Sequence, residues 1–224
     1  MTASGIVPRV DLASDSAGYA AGDETILREG NRAVRVAVLR ERCLSYGVGV
    51  DPSAGYVRRA VGEGIPVVRR STGGSGLLHE PGDLAWSLVL PRDDPRVGTD
   101  FARAYARLGA GVAAWLRDQG VRSAWEPAPG RSSAYCTLGE RGEVLRGGGK
   151  IVGGAAQHAV PRALLHHGTV SVTIDRTEID RLFEFRDPSP TRELAGLREL
   201  GVATPEPELA RSLAAALASD LSSG

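Results

Sequence analysis

The residues able to do covalent or proton chemistry are few, and they cluster. The chain of 224 residues holds a single lysine, Lys150, with arginine at every other basic position, and four histidines and two cysteines. A drift towards arginine replaces lysine wherever charge alone is needed; a compact ammonium on a flexible stem is what guanidinium does not reproduce. Lys150 stands in Arg146–Gln157, RGGGKIVGGAAQ, between two glycine runs. That setting makes it a candidate catalytic group, because an ammonium beside a bound acyl group polarises the carbonyl or neutralises an oxyanion. Lys150, Cys136 and all four histidines fall within residues 69–79, 136–158 and 166–167.

The first cluster runs from Arg69-Arg70 through Gly73 and Gly74 to His79. Glycines let backbone approach a ligand and offer N–H groups to an anion, and arginines clamp phosphate or carboxylate. The loop is neither a Walker loop, which ends in Gly-Lys-Ser/Thr, nor a dinucleotide fingerprint. In His166-His167-Gly168-Thr169, neighbours on a strand face opposite ways, so only one imidazole can share a face with a given partner.

Composition narrows the classes. A formal charge of +0 leaves no basic footprint for nucleic acid. No apolar run reaches the roughly 18 residues of a membrane span, and the start lacks a signal pattern, so a cytoplasmic protein is expected. Two cysteines, Cys43 and Cys136, are too few for a disulfide framework or a four-ligand zinc site, and no metal ligands are assigned.

The elements that must position these groups are read from periodicity. Residues 1–22 are expected to be only partly ordered, and 23–224 to form a single domain without a C-terminal accessory domain. Val34, Val36 and Val38 alternate as a strand, Cys43–Val50 suggests a second, and Pro66–Arg70 a third. Residues 54–63 suggest a helix, and Asp23–Glu29 a short one. Ser71–Pro81 reads as a glycine-rich loop and Leu84–Pro91 as a buried strand. The clearest helix starts at Thr99, with Tyr105, Leu108, Val112, Trp115 and Leu116 at helical spacing and Gly120 past its end. A strand over 121–126, a hairpin of Glu143–Arg146 with Lys150–Ala156, a strand over Ala163–Ile174 and two further helices complete the chain. The mixture lacks regular alternation, which predicts an α+β fold of mixed, mainly antiparallel sheets with packed helices.

Together the three clusters resemble the catalytic domain of the lipoate–protein ligase A and octanoyltransferase family, within the biotin/lipoate ligase fold. VVRRSTGGSGLLHEPGDLAWSLVLP is similar to that family's RR-x-(S/T)-GG-x-x-x-x-H-(D/E) loop and following strand. GGGKIVGGAAQ is similar to its G-(K/R)-K-(I/V)-x-G-x-A segment, and LLHHGTVSV to its HG-(S/T) strand. The resemblance implies Lys150 as the catalytic lysine. It implies Arg70, Gly73, Gly74, His79, Gly153, Ala155, His167 and Gly168 as the lining of the acyl site. Implied partners are lipoyl carrier domains, such as the glycine-cleavage H protein or the 2-oxoacid dehydrogenase subunits that carry lipoyl on a lysine.

Two subclasses follow from it. A ligase makes an acyl-adenylate with ATP and Mg2+; this first reading is supported by His79-Glu80-Pro81-Gly82-Asp83-Leu84, which is similar to the ligase H-D-x-G-(N/D)-L. Ligases also carry an Asn-Asp pair before the lysine segment, where this chain has GRSSAYC without an acid, and such a short ligase would need a separate accessory subunit. The alternative is an octanoyltransferase that takes octanoyl from an acyl carrier protein on a Cys136 thioester without cofactor. Ser133-Ala134-Tyr135-Cys136, followed by Glu143-Val144, Lys150 and Gln157, resembles that pattern. A third reading is a non-catalytic acyl- or carrier-binding homologue, since the family's first helix, N-L-A-x-E-E, is here only GDETILRE.

Overall fold

A computed structural model describes residues 6–98, 101–132, 134–139, 142–187 and 190–222, with backbone alone at 101–103 and 106. The chain opens with strand β1 (Arg9–Ser14) and helix α1 (Ser16–Glu29), then strands β2 (Ala33–Leu39) and β3 (Cys43–Tyr46). Helix α2 (Gly55–Gly62) precedes β4 (Val67–Arg69), β5 (Gly76–His79) and β6 (Leu84–Pro91). Helix α3 (Phe101–Asp118), β7 (Ser123–Pro127), the hairpin β8 (Glu143–Gly147) and β9 (Lys150–Ala159), and β10 (Ala163–Val170) follow. Helices α4 (Arg176–Leu182) and α5 (Glu206–Ser222) close the described chain.

The strands form two sheets. The larger has the order β1-β2-β6-β10-β9-β8-β7, antiparallel at every pairing except β1 with β2. The smaller has the order β4-β3-β5, parallel between β3 and β4 and antiparallel between β3 and β5. The architecture is therefore the α+β arrangement expected from the sequence.

The alternation in β2 explains the layering. Val34, Val36 and Val38 pack with Leu108, Val112 and Trp115 of α3 and with Leu209, Leu213 and Leu217 of α5. The opposite face carries Ala33 beside Ile26 of α1, and Ala37 beside Tyr19 of α1. Arg35, between two of the valines, points to this second face and is buried at 6% exposure. Further along the large sheet, Val144 and Ile151 share a cluster with Leu44 and Leu78 of the small sheet and with Ile179 and Leu182 of α4. The site lies in this seam between sheets.

Within the stretch before Asp23, residues 6–22 supply β1 and the first half of α1. Asp15 caps that helix, its carboxylate accepting from Gly18 N at 2.7 Å, and Gly30 ends it at φ 67°. The small residues of SAGYAAGD hide the helical period, and the cap pair was the available signal. The segment Ser71–Pro81 is not all loop, because Gly76–His79 is β5, paired with β3 from Cys43↔His79 to Tyr46↔Gly76. Thr99 and Ser133 lie outside the described residues. No helix among the described residues is long and apolar enough to cross a membrane.

Candidate active site

A pocket with about 470 Å³ of empty space, counting its mouth open to solvent, lies between β8–β10, β5 and the start of α1. Its floor is built of small residues, Gly154, Ala155 and Ala156 from β9 and Gly168 from β10. These pair across the ladder as Ala156↔His167, Ala155↔Gly168 and Gly154↔Thr169. Small side chains at successive positions leave a trough where ordinary strand residues would fill the space. Leu77, Ala128 and Val144 supply apolar wall, and Arg70, Cys136, Glu143 and His167 are among its polar lining.

Cys136 begins a short 3-10 turn, Cys136–Leu138, and is half-buried. Arg70 Nη2 lies 4.0 Å from its sulfur. That guanidinium also donates to the carbonyls of Gly73 at 3.2 Å and Ser75 at 2.9 Å, and its Nη1 donates to Ser45 Oγ at 2.7 Å. Arg70 thus ties the glycine-rich loop to β3 while facing the thiol. Gly74 holds φ 89°, and a Cβ there would stand 2.8 Å from Cys136 Sγ. Only glycine fits both the left-handed backbone and the contact.

The imidazoles divide by role. His167 lines the pocket and is bonded at both nitrogens: Nδ1 to Asp23 Oδ2 at 2.6 Å and Nε2 to Thr72 Oγ1 at 2.8 Å. Asp23 is in turn bonded by Arg35 Nη1 at 3.2 Å and by the Ser87 hydroxyl, so its buried carboxylate is compensated. With a carboxylate accepting from Nδ1–H, Nε2 is left to accept from the threonine hydroxyl. The chain Asp23–His167–Thr72 joins α1, β10 and the glycine-rich loop. His79 is fully buried beneath the loop, with Nε2 on Ser45 Oγ at 2.7 Å. Burial, then Arg70 and His167, push its pKa down to about 3, so it is a neutral support rather than a proton carrier. His166 points to the other face, against Trp86 and Tyr105, with Nδ1 3.2 Å from Gln157 Nε2.

Of the residues singled out from sequence, the pocket gathers Arg70, Cys136, Ala155, His167 and Gly168. Gly73, Gly74 and His79 shape the loop behind it. Gly153 lines a narrower cavity of about 250 Å³ that meets the pocket at Leu77, Thr137 and Thr169. Lys150 is not brought to the pocket. It is exposed at the head of β9, and its Nζ donates to the carbonyl of Arg192 at 2.7 Å. It lies four residue steps along β9 from Gly154, roughly 13 Å at the usual rise.

Sequence reasoning missed Asp23, Thr72 and Tyr19. Asp23 belongs to the stretch GDETILRE, which departs from the family's acidic first helix yet delivers a carboxylate from it. Glu143, which follows Cys136 in the transferase-like pattern, lines the same pocket. By contrast, the acids of the ligase-like HEPGDL serve the fold. Asp83 accepts from Glu80 N at 3.0 Å and Val172 N at 2.8 Å, and Glu80 pairs with Arg42 at 3.0 Å.

Comparisons with known proteins agree on the kind of domain. An octanoyltransferase LipM of Carboxydothermus hydrogenoformans is 28% identical over 178 residues, covering 70% of this chain and 65% of its own length. A protein named for lipoate–protein ligase A in Aeropyrum pernix is 32% identical, covering 71% of this chain and 55% of its own. The chain thus spans between half and two thirds of the length of these relatives. A lipoate–protein ligase A solved with ATP superposes with a TM-score of 0.77 at 21% identity, covering 96% of this chain and 86% of that one, a likeness of fold. Residues 27–217 match the family described as the lipoyl protein ligase A/B catalytic domain, to which this chain belongs.

Proposed function

We propose that the chain transfers an octanoyl group to the lysine of a lipoyl carrier domain through a thioester on Cys136. The observation that carries this reading is the thiol itself: it stands in the pocket, 4.0 Å from the Arg70 guanidinium and against Gly74. A sulfur nucleophile suits exchange between thioesters, and the nearest cation faces the charge that develops as it attacks. The Cys136 sulfur bonds to the donor's carbonyl carbon, the donor's C–S bond breaks, and the leaving thiolate takes up the proton that Cys136 gives up. The acyl chain then lies on the floor of Gly154, Ala155, Ala156 and Gly168. The donor class is an acyl thioester such as octanoyl-acyl carrier protein. The acceptors are carriers of the H-protein or 2-oxoacid dehydrogenase type.

Lys150 enters this reading as the cation for the acyl carbonyl, a role that requires it to exchange its bond to Arg192. That bond is a neutral-acceptor contact at an exposed position, worth about 1 kcal/mol.

A second reading, acyl-adenylate formation, is favoured by the Aeropyrum relative. Intact mass decides between the two. Incubation with octanoyl-acyl carrier protein is expected to give a thioester-labile octanoyl adduct that Cys136→Ser lacks, with transfer lost at least about 1000-fold. Release of pyrophosphate from octanoate, ATP and magnesium, with Cys136→Ser fully active, would establish the adenylate route instead.

A further inference from the structure

Glu143 is a carboxylate in the acyl pocket without a task in the fold. It begins β8, paired with Pro127 of β7, and its side chain turns into the pocket that holds Cys136. Its Oε2 is buried without a hydrogen-bond partner among the described residues. Most other buried or half-buried acids near the site are engaged: Asp23 by Arg35, Ser87 and His167, Asp83 by two backbone N–H groups, Glu80 by Arg42. Burial alone raises the pKa of Glu143. Both Glu143 and Cys136 act electrostatically on the phenol of Tyr105, which places the two in one neighbourhood. A half-buried carboxylate with one oxygen shielded and unpartnered is favoured by a cation that comes to it.

We propose that Glu143 docks the incoming lysine of the carrier domain and takes its proton, so that the amine can attack the Cys136 thioester. The inference rests on the thioester reading given above. A carrier lysine arrives as an ammonium, which is attracted to the carboxylate and is no nucleophile. One proton passes from the ammonium to Glu143. The amine nitrogen bonds to the acyl carbon, and the C–S bond to Cys136 breaks. The departing sulfur takes a second proton from the nitrogen, the third stays on the new amide, and Glu143 returns its proton to solvent. A carboxylate with a raised affinity for protons is suited to this exchange near neutral pH. Arg70 and Glu143 thereby divide the pocket, the guanidinium serving the charge on sulfur and the carboxylate serving the amine.

The test separates the two halves of the reaction in Glu143→Gln, an isosteric change that removes the charge. Octanoyl-Cys136 should form from the acyl thioester donor within about threefold of the wild-type rate. Transfer from it to a lipoyl carrier domain should fall about 100-fold or more, with the acyl-enzyme accumulating in intact mass spectra. Hydroxylamine, which is uncharged at neutral pH and needs no base, should discharge both acyl-enzymes at equal rates. Glu143→Asp should recover part of the carrier transfer. The proposal is overturned if Glu143→Gln transfers to the carrier at the wild-type rate, or if it loses formation of the acyl-enzyme instead. It is also overturned if its acyl-enzyme resists hydroxylamine as much as the carrier, since that marks a distorted site. A wild-type protein that forms no acyl-enzyme at all would remove the thioester reading itself, an outcome distinct from each of these.

Discussion

Two glycine-rich segments stand out in the chain, and the fold uses them differently. Gly74 in the loop before β5 has φ 89° and Gly149 in the β8–β9 hairpin has φ 85°, so their backbones are nearly the same. Their surroundings are not. A Cβ on Gly74 would stand 2.8 Å from Cys136 Sγ and 3.2 Å from Arg70 Nη2, whereas a Cβ on Gly149 would meet nothing within 4 Å. Glycine content announces an unusual backbone; it does not say whether that backbone faces a ligand or water. The loop is pinned by Arg70 and by Thr72 on His167, and the hairpin by outward contacts: Gly148 N on the Arg122 carbonyl, Arg146 on Glu193 and the Gly149 carbonyl, and Lys150 on Arg192.

The largest effect should come from placing the same methyl group at both positions. Gly74→Ala and Gly149→Ala each force alanine into the left-handed region, at about 1–2 kcal/mol of stability. Gly74→Ala must also move the loop away from the sulfur, and displacements of that order near a reacting atom cost about 100-fold in rate. Gly149→Ala should keep acyl transfer within about threefold of wild type at a similar loss of stability. Chemical denaturation and transfer rates measured side by side check the pair. Equal rates in the two variants would break the comparison.

Lys150→Arg asks whether the hairpin joins the site during turnover. A guanidinium can still reach the Arg192 carbonyl, so the resting structure should be unchanged and thermal stability should hold. If the ammonium serves the acyl carbonyl, transfer should fall about tenfold to 100-fold, the scale of losing one donor to a developing oxyanion. A wild-type rate would leave the hairpin as a turn, and the lone lysine as one of its anchors.

How much of this was legible in the sequence differs between the same two regions. Periodicity located β2, β6, α3 and the β8–β9 hairpin, because each is a local pattern of apolar residues. The three motif segments marked Arg70, His167, Gly168 and Ala155, and the fold brings these together as the lining of one pocket. What stayed hidden depends on distant pairing. Asp23 reaches His167 across 144 positions, and Thr72 reaches it across 95. Arg35 sits among valines where alternation suggests a solvent-facing charge, yet it is buried on Asp23. Strand β5 was masked by the glycines that precede it, since its pairing with β3 is long-range. Lys150 is the opposite case: composition made it conspicuous, and tertiary structure sets it outside the pocket.

The last effect, on stability rather than rate, concerns the groups buried around the loop. Burial pushes the pKa of His79 and of His166 down to about 3, while the unfolded chain protonates both near 6.5. Below pH 6.5 the unfolded state therefore binds more protons at these sites, and stability falls as the pH drops towards 3. Each histidine contributes a slope of up to about 1.4 kcal/mol per pH unit. Asp83 has the opposite sign. Its pKa is pushed up to about 8 by burial from an ordinary 3.8, so the folded state holds the extra proton in that interval. The stability it contributes below pH 3.8 is lost as the pH rises to 8. Between pH 4 and 6.5 two histidines oppose one aspartate, and the slope is positive; between 6.5 and 8 the aspartate acts alone, and the slope is negative. Urea midpoints measured across this range should peak near pH 6.5. The hairpin end holds no buried group of this kind, so amide exchange on the acid limb should quicken first in β5 and the glycine-rich loop. Earlier loosening of β8 and the head of β9 would mean that the two segments are not held as differently as their contacts imply.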